Sequence, residues 1–188
     1  MSMLSKLVGL AFGLALAAIP ALAQEAAKKE APKPALRASA KLLDQWNDVG
    51  GKLIAIAEDL PEDKYDYKPN PASRSFIEQL MHAAGSMYYF TDIAQGEKAR
   101  YGDDPKRDEL KTKAQIVAFV KQCVKDGADF MKAKGDKGLN ESVNDGSPRL
   151  IRLMDLAYGL IEHSGEHYGQ LVVYYRINGM APPASRPK

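Results

Sequence analysis

The chain reads Ile161-Glu162-His163-Ser164-Gly165-Glu166-His167-Tyr168-Gly169-Gln170 at the centre of a segment, Ser147 to Pro183, that decides its fold. His163 and His167 are two of the three histidines in the chain, and they stand four residues apart. In an α-helix, residues i and i+4 differ by only about 40° around the axis and lie one turn apart along it. A helix here therefore places both imidazoles on one face, where they can bind one small ligand.

The pattern of this segment predicts such a helix. Ser147 followed by Pro148 indicates its start, as an N-cap and a first helical residue. Asn178-Gly179, with prolines just beyond, indicates its end. Between these limits, side chains recur at spacings of three and four, the period of a core-facing stripe, which contains Leu150, Leu153, Ala157, Leu160, Ser164, His167, Leu171 and Tyr174.

Three further amphipathic helices are predicted. The first covers residues 36–59, where a heptad-like seam is typical of bundle packing. The second, 75–95, and the third, 112–134, each begin at a capping box with Ser or Thr followed by Glu or Gln. The loops 96–111 and 135–146 are longer than an antiparallel hairpin needs, so one can carry the chain along the bundle. No stretch has the pattern of a strand, and the sequence predicts an all-α four-helix bundle.

The stripes also predict which residues are buried. The expected core contains Trp46, Leu53, Leu80, Met87, Leu160 and Leu171. Cys123, the single cysteine, lies on the stripe of the third helix and is expected to be a buried thiol. Gly50-Gly51 in the first helix indicates a kink or a close helix contact, or else room for a ligand. Close approach of a neighbouring helix is also expected at Gly159, Gly165 and Gly169.

The N-terminal residues predict an exported protein. Lys6 precedes an apolar run, and Ala21-Leu22-Ala23 is a cleavage site of the A-x-A type, so residues 1–23 have the pattern of a signal peptide. Residues 24–35 form a disordered leader rich in proline and charge, residues 36–183 form the bundle, and residues 184–188 form a short tail. The apolar run is shorter than the roughly 20 residues that a membrane span needs. We expect a periplasmic or secreted protein without a membrane span after cleavage.

The charge balance argues against a nucleic-acid partner. The chain has 26 basic and 24 acidic residues, which gives a formal net charge of +2. Charges of both signs are interspersed, whereas a nucleic-acid-binding domain needs a basic patch that neutralises phosphates. We therefore expect no nucleic-acid partner.

The three histidines are the candidate metal ligands. Neutral imidazole is the commonest metal ligand, and three histidines with an open fourth position are typical of a catalytic site. The polar stripe that contains His82 on the second helix also includes Glu78, Gln79, Ser86 and Tyr89. That stripe is either a solvated face or one wall of a polar pocket. If it turns inward, the ligating nitrogens of the three histidines are expected within about 4 Å of one another.

The residues next to His163 and His167 indicate which classes of metal enzyme fit the sequence. Zinc proteases share the i, i+4 histidine pair but have a glutamate directly after the first histidine. Ser164 occupies that place here, so a metalloprotease is excluded. Glu166 is the nearest carboxylate on the histidine face and is a candidate for orienting a ligand or transferring a proton. The alternative interpretation of Glu166 is an ordinary solvent-facing helix charge.

The end of the chain resembles the DinB/YfiT-like family. Residues 166–183 read Glu-His-Tyr-Gly-Gln-Leu-Val-Val-Tyr-Tyr-Arg-Ile-Asn-Gly-Met-Ala-Pro-Pro, and in that family H-x-x-x-H is followed by G-Q, an aromatic-Arg pair, Gly and Pro. Ser75-Phe76 leading to Leu80-Met81-His82 is similar to the family's second helix, where its first ligand histidine lies. Leu60-Pro61-Glu62 at the end of the first helix matches as well. The resemblance covers residues 38–183.

This resemblance implies an up-down-down-up bundle, a divalent metal ion held by His82, His163 and His167, and often a homodimer. Its relatives include metal-dependent thiol transferases, a maleylpyruvate isomerase and hydrolases of unknown substrate. Tyr168 departs from the family, since many members have arginine at that place. The metal remains open among zinc, nickel, iron and manganese, because imidazole suits all four.

Two functions follow as hypotheses. The first is an exported metal-dependent enzyme, of hydrolase or thiol-transferase type, acting on an unknown small-molecule substrate. The second is a non-catalytic bundle of the cell envelope that holds a metal ion or a small ligand. A cavity at the open coordination position favours the enzyme, whereas a filled site with four protein ligands favours binding or storage.

Overall fold

The computed structural model describes residues 34–100, 105 and 107–187, and four helices dominate these ranges. They are α1 (Ala38–Asp59), α2 (Phe76–Ile93), α3 (Lys113–Leu139) and α4 (Leu153–Ile177). Short 3₁₀ turns occupy Glu62–Lys64 and Pro183–Ser185, and β1 (Ser142–Val143) pairs with β2 (Ile151–Arg152). The predicted signal peptide and nearly all of the predicted leader lie outside the described residues, so both stay predictions.

Both predicted capping boxes are present, and they start α2 and α3 where the sequence indicated. The Ser75 hydroxyl accepts from the Glu78 backbone N–H at 3.3 Å, while the Glu78 carboxylate accepts from the Ser75 N–H at 2.7 Å. Thr112 and Gln115 exchange the equivalent bonds at 3.3 and 3.0 Å. Each box satisfies two backbone donors that have no partner inside the helix.

Hydrogen bonds between helix ends give the direction of α3 and α4 relative to α1. Lys113, at the start of α3, donates to the carbonyl of Leu60 at the end of α1 (3.1 Å), so α1 and α3 are antiparallel. Tyr175, near the end of α4, donates to the carboxylate of Asp59 at the end of α1 (3.0 Å). The helices α1 and α4 therefore run parallel.

One more bond completes the topology. Tyr174, near the end of α4, donates to the carbonyl of Arg74, just before α2 (3.0 Å), so α2 and α4 are antiparallel. With α1 and α4 up, α2 and α3 both run down. The bundle is up-down-down-up, as the family resemblance implied. The long connection from α2 to α3 is the segment that returns the chain along the length of the bundle.

The predicted core is confirmed. All six residues named from the stripes are buried, at 6% exposure for Leu160 and 0% for Trp46, Leu53, Leu80, Met87 and Leu171. Cys123 is also fully buried. Gly50 is a close helix contact, because a Cβ atom there would lie 2.6 Å from Cγ1 of Val124 on α3. Its neighbour Gly51 faces open space.

The predicted start of α4 at Ser147 and Pro148 is wrong. The helix begins at Leu153, and the residues before it form an antiparallel pairing with Ser142 opposite Arg152 and Val143 opposite Ile151. Leu150 accordingly leaves the core stripe and is 66% exposed. The prediction that the chain has no strand is also wrong, because two-residue strands are too short to show a period of two.

Of the predictions that involve glycines, one is confirmed and one needs correction. The third helix is broken at Gly135 (φ +55°, ψ −168°), close to its predicted end at residue 134, and a short helical piece follows as far as Leu139, whose side chain is fully buried. Gly159, Gly165 and Gly169 do not serve close helix approach, since a Cβ atom at any of them would meet nothing within 4 Å. None of the described helices has the length and apolar character that a membrane crossing requires.

Candidate metal centre

The three histidines converge between α2 and α4. His82 lies on α2, whose polar stripe turns inward, while His163 and His167 lie one turn apart on the facing side of α4. Because the two helices are antiparallel and in contact, His82 meets the pair from the opposite side. Each histidine is half-buried. Of the two interpretations of the His82 stripe, the polar pocket wall is therefore correct.

The ring nitrogens are close enough to share one ion. Nε2 of His167 lies 3.1 Å from Nε2 of His82 and 3.2 Å from Nε2 of His163. All three histidines offer a nitrogen within 4.8 Å of the others. Metal–nitrogen bonds of about 2.0–2.1 Å give nitrogen–nitrogen separations of roughly 2.8–3.4 Å in octahedral or tetrahedral geometry. The two measured separations fall in that range, so the residues fit a divalent cation.

No other group of this kind occurs among residues 34–100, 105 and 107–187. The three histidines are the single cluster there of three or more His, Cys, Asp or Glu residues able to hold a metal ion. Cys123 is buried in the bundle core. Burial raises the pKa of its thiol to about 12, so it stays protonated and is a poor ligand.

The surroundings keep the imidazoles of His163 and His167 neutral. Burial, reinforced by His82 and His163, lowers the pKa of His167 to about 4. The pKa of His163 is also lowered, first by burial and then by His82. Neutral imidazole is the form that binds a metal, so both side chains are ready ligands at neutral pH.

Gln79 contacts the histidine cluster at His167, on the Nδ1 side of its ring. Its side chain is 2% exposed, and its amide nitrogen contacts Nδ1 of His167 and donates to the side-chain oxygen of Gln170 at 2.6 Å. By contrast, Nδ1 of His163 is buried and has no hydrogen-bond partner among the described residues. Sequence reasoning placed Gln79 on the polar stripe but gave it no role, because its partner lies 88 residues away.

A cavity of 540 Å³ opens beside the cluster, with His82 and His163 in its wall. Much of the remaining lining is apolar and includes Phe90, Ile151, Leu156 and Leu160. Two carboxylates, Asp145 and Asp155, also line it. Asp155 is exposed and forms an ion pair with Arg152 at 2.7 Å. Asp145 was missed from the sequence because the β1–β2 hairpin that brings it here was not predicted. Asp155 lies in the first turn of α4 and was given no role from the sequence.

Glu166, the candidate for proton transfer, is exposed and is not part of the cavity lining. Its charge acts on His163, whose pKa it raises against the larger opposite effect of burial. No hydrogen bond to a histidine is formed by its carboxylate, so the predicted role of Glu166 stays a prediction without a contact that supports it. Tyr168, which replaces the arginine common in the resembling family, lies on the α1 side, where Lys52 is 5.8 Å from its ring centre. It is not part of the cavity lining either.

Comparisons with known proteins identify the same fold. The family model described as the DinB superfamily matches residues 45–171. A DinB-like protein from Bacillus subtilis has a crystal structure similar to this chain, with a TM-score of 0.61, 20% identity, and coverage of 75% of this chain and 93% of that one. The crystal structure of a DinB-like protein from Bacillus cereus is also similar, with a TM-score of 0.65 and 14% identity. The match covers 77% of this chain and 95% of that one. A search of the curated proteins found no match.

Proposed function

Because the chain belongs to the DinB superfamily, we propose that it is a metal-dependent enzyme whose divalent cation is held by His82, His163 and His167. One observation carries this proposal. Three imidazoles offer nitrogens within 4.8 Å of one another, and two of these rings form part of the wall of a cavity. A site of this kind has three protein ligands and a side open to a small molecule, which is the pattern of catalytic rather than structural metal sites.

The chain's own residues supply a preformed binding site. His163 and His167 are neutral, so binding a cation requires no net loss of a proton from either ring. The helical repeat fixes the spacing of that pair, and the packing of α2 against α4 adds His82. A bound cation acts as a Lewis acid and lowers the pKa of a thiol or water that reaches it.

The cavity supports an enzyme that acts on a small organic molecule. Its volume of 540 Å³ lies within the range of about 300–1,000 Å³ that is common for small-molecule sites. The apolar lining favours a substrate with an apolar part, bound so that its reactive group faces the histidines. We propose a hydrolase or a thiol transferase, with zinc, nickel, iron or manganese as the metal.

The proposal also covers the cellular location of the protein, its oligomeric state and its class of partner. The sequence pattern of residues 1–23 supports export to the periplasm or the medium. The resemblance to the family supports a homodimer. The near-neutral charge supports a small-molecule partner rather than a nucleic acid.

A second function is favoured by one specific observation. Glu166, the carboxylate predicted to transfer a proton, is exposed and outside the cavity lining. A bundle that binds a metal ion or a small ligand without turnover needs no such group. The two functions therefore differ in one measurable respect, which is turnover by the metal-loaded protein.

The test compares metal content with activity. Purified protein loaded in turn with zinc, nickel, iron and manganese is assayed against libraries of thiols and esters, with His163→Ala as the matched control. Turnover by the loaded wild type that is absent in the variant supports the enzyme. Stoichiometric metal without turnover in any library supports the binding bundle, and absence of bound metal contradicts both metal hypotheses.

A further inference from the structure

Gln79 is the buried polar side chain that faces the back of the histidine cluster. It lies three residues before His82 on α2, so both side chains project from the same face of that helix. Only 2% of Gln79 is exposed. Its amide contacts Nδ1 of His167 and is held in turn by Gln170, whose side-chain oxygen is 2.6 Å away. A buried amide in such a position needs hydrogen bonds, and the cluster supplies them.

The group that faces Nδ1 decides what Nε2 of His167 can do. A neutral imidazole has one proton, and the nitrogen that lacks the proton is the one with a free lone pair. The Nε2 atom of His167 points toward the other two rings, with separations of 3.1 and 3.2 Å. For this atom to bind a cation, the proton must lie on Nδ1, and Nδ1–H then needs an acceptor.

The side-chain amides of Gln79 and Gln170 can form hydrogen bonds to His167 whether its proton lies on Nδ1 or on Nε2. As placed, the Gln79 amide nitrogen faces Nδ1 and donates to Gln170, an arrangement that favours the proton of His167 on Nε2, where another imidazole can accept it. The Gln170 oxygen lies 3.4 Å from Nδ1 and is the weaker contact. If both amides rotate by 180°, the Gln79 oxygen accepts from Nδ1–H and from the Gln170 N–H. The same contacts are then kept with donor and acceptor exchanged, and the Nε2 lone pair is free.

We propose that Gln79, held by Gln170, is a positioning residue that sets the tautomer of His167 through this amide rotation. In the metal-free protein the proton lies on Nε2, and when a cation binds, the rotated amide holds the proton on Nδ1. The metal half of this inference rests on the proposed function. His163 has no comparable control, because its Nδ1 atom has no partner among the described residues.

Two substitutions separate hydrogen bonding from packing. Gln79→Leu keeps the approximate volume but removes both donor and acceptor. Gln79→Glu keeps an acceptor and removes the donor, so its carboxylate holds the proton on Nδ1 without any rotation. Thr91→Val is the matched control, since Thr91 is a buried polar residue (5% exposed) of the same helix outside the cluster.

The test measures tautomer and zinc affinity. Two-bond ¹H–¹⁵N spectra of histidine-labelled protein, with His167 assigned from a His167→Asn variant, report which nitrogen is protonated. We expect Nε2–H in metal-free wild type, and Nδ1–H in its zinc complex and in metal-free Gln79→Glu. Competition with a chelator is expected to show zinc affinity weakened by about 10- to 100-fold in Gln79→Leu and largely restored in Gln79→Glu.

Each negative outcome has a separate meaning. Zinc affinity of Gln79→Leu equal to that of Thr91→Val and wild type overturns the role in metal binding. Metal-free Gln79→Glu with the proton still on Nε2 overturns the control of the tautomer. If the wild type binds no zinc, nickel, iron or manganese, the proposed function fails, while the metal-free spectra still decide whether Gln79 sets the tautomer.

Discussion

Nε2 of His82 lies 3.1 Å from Nε2 of His167, although 85 positions separate the two residues in the chain. The contact exists because α2 and α4 are antiparallel neighbours, with the polar stripe of α2 turned toward the histidine face of α4. Two such nitrogens do not gain from close contact unless a proton or a cation lies between them. The geometry of the bundle therefore provides a place for one shared ligand.

The first prediction concerns metal stoichiometry. We expect wild-type protein to bind about one divalent ion per chain, and His82→Ala or His163→Ala to bind none after dialysis, because two imidazoles hold a cation far more weakly than three. Elemental analysis measures the metal, and far-ultraviolet circular dichroism checks that the helices remain. Full occupancy in either folded variant contradicts the three-histidine site.

The second prediction uses two adjacent glycines of α1. Gly51→Ala is expected to stabilise the protein by about 0.5–1 kcal/mol, because alanine is the better helix former and the new Cβ meets nothing within 4 Å. Gly50→Ala is expected to destabilise it by about 1–3 kcal/mol, because the new Cβ lies 2.6 Å from Val124. Urea unfolding measures both changes. Equal effects of the two substitutions mean that α1 and α3 are not in close contact at Gly50.

The third prediction concerns access to the cavity. Gly159 lines it and a Cβ atom there meets nothing within 4 Å, so Gly159→Leu places a side chain in the cavity without a backbone clash. Binding of benzyl mercaptan to cobalt-loaded protein, followed by visible absorption, is expected to weaken about tenfold or more, which corresponds to about 1.4 kcal/mol.

Gly165→Leu is the matched control for this experiment. Gly165 lies on the same helix and its Cβ position is also open, but it lines a different groove, beside Lys52 and Tyr168. Both variants are expected to bind cobalt normally, because neither glycine contacts the three nitrogens. If Gly165→Leu weakens thiol binding as much as Gly159→Leu does, the cavity is not the route to the metal.

Much of the fold could be predicted because long helices repeat their signal. The stripes of α1 and α4 and the capping boxes of α2 and α3 identify the helices within a few residues, except at the start of α4 and the end of α3. The β1–β2 pairing could not be predicted, since two residues per strand carry no measurable period. The break of α3 at Gly135 agrees with its predicted end. The helical piece between Gly135 and Leu139 could not be predicted, because it is too short to show a helical period.

The candidate site, like the fold, could be predicted from the sequence only in part. The spacing of His163 and His167 follows from the helical repeat, so their pairing could be predicted from the sequence alone. Gln79 acquires its contact only when α2 packs against α4, and Asp145 reaches the cavity only through the hairpin. Gly159 was misinterpreted because a sequence does not show whether the open side of a glycine faces a helix or a cavity.

The last prediction is the pH dependence of stability in the metal-free protein. The pKa of His167 is about 4 in the folded state, against an ordinary value of 6.5, because the site is desolvated and His82 and His163 are close. Between these values the unfolded chain binds more protons than the folded one, so the free energy of unfolding falls as the pH is lowered from about 6.5 to about 4. The lowered pKa of His163 acts in the same direction.

Carboxylates with lowered pKa values affect mainly the acidic end of this window. Hydrogen bonding to Arg186 lowers the pKa of Asp59, and hydrogen bonding to Ser75 lowers the pKa of Glu78 from its ordinary value of 4.5, so the stability that such groups contribute begins to be lost only at about pH 5. Urea unfolding in the presence of a chelator, at several pH values from 7 to 4.5, is expected to show a decline in wild type and a shallower decline in His167→Gln. Identical slopes in the two proteins mean that His167 does not carry the effect, and a flat wild-type profile means that the folded site accepts protons as readily as the unfolded chain.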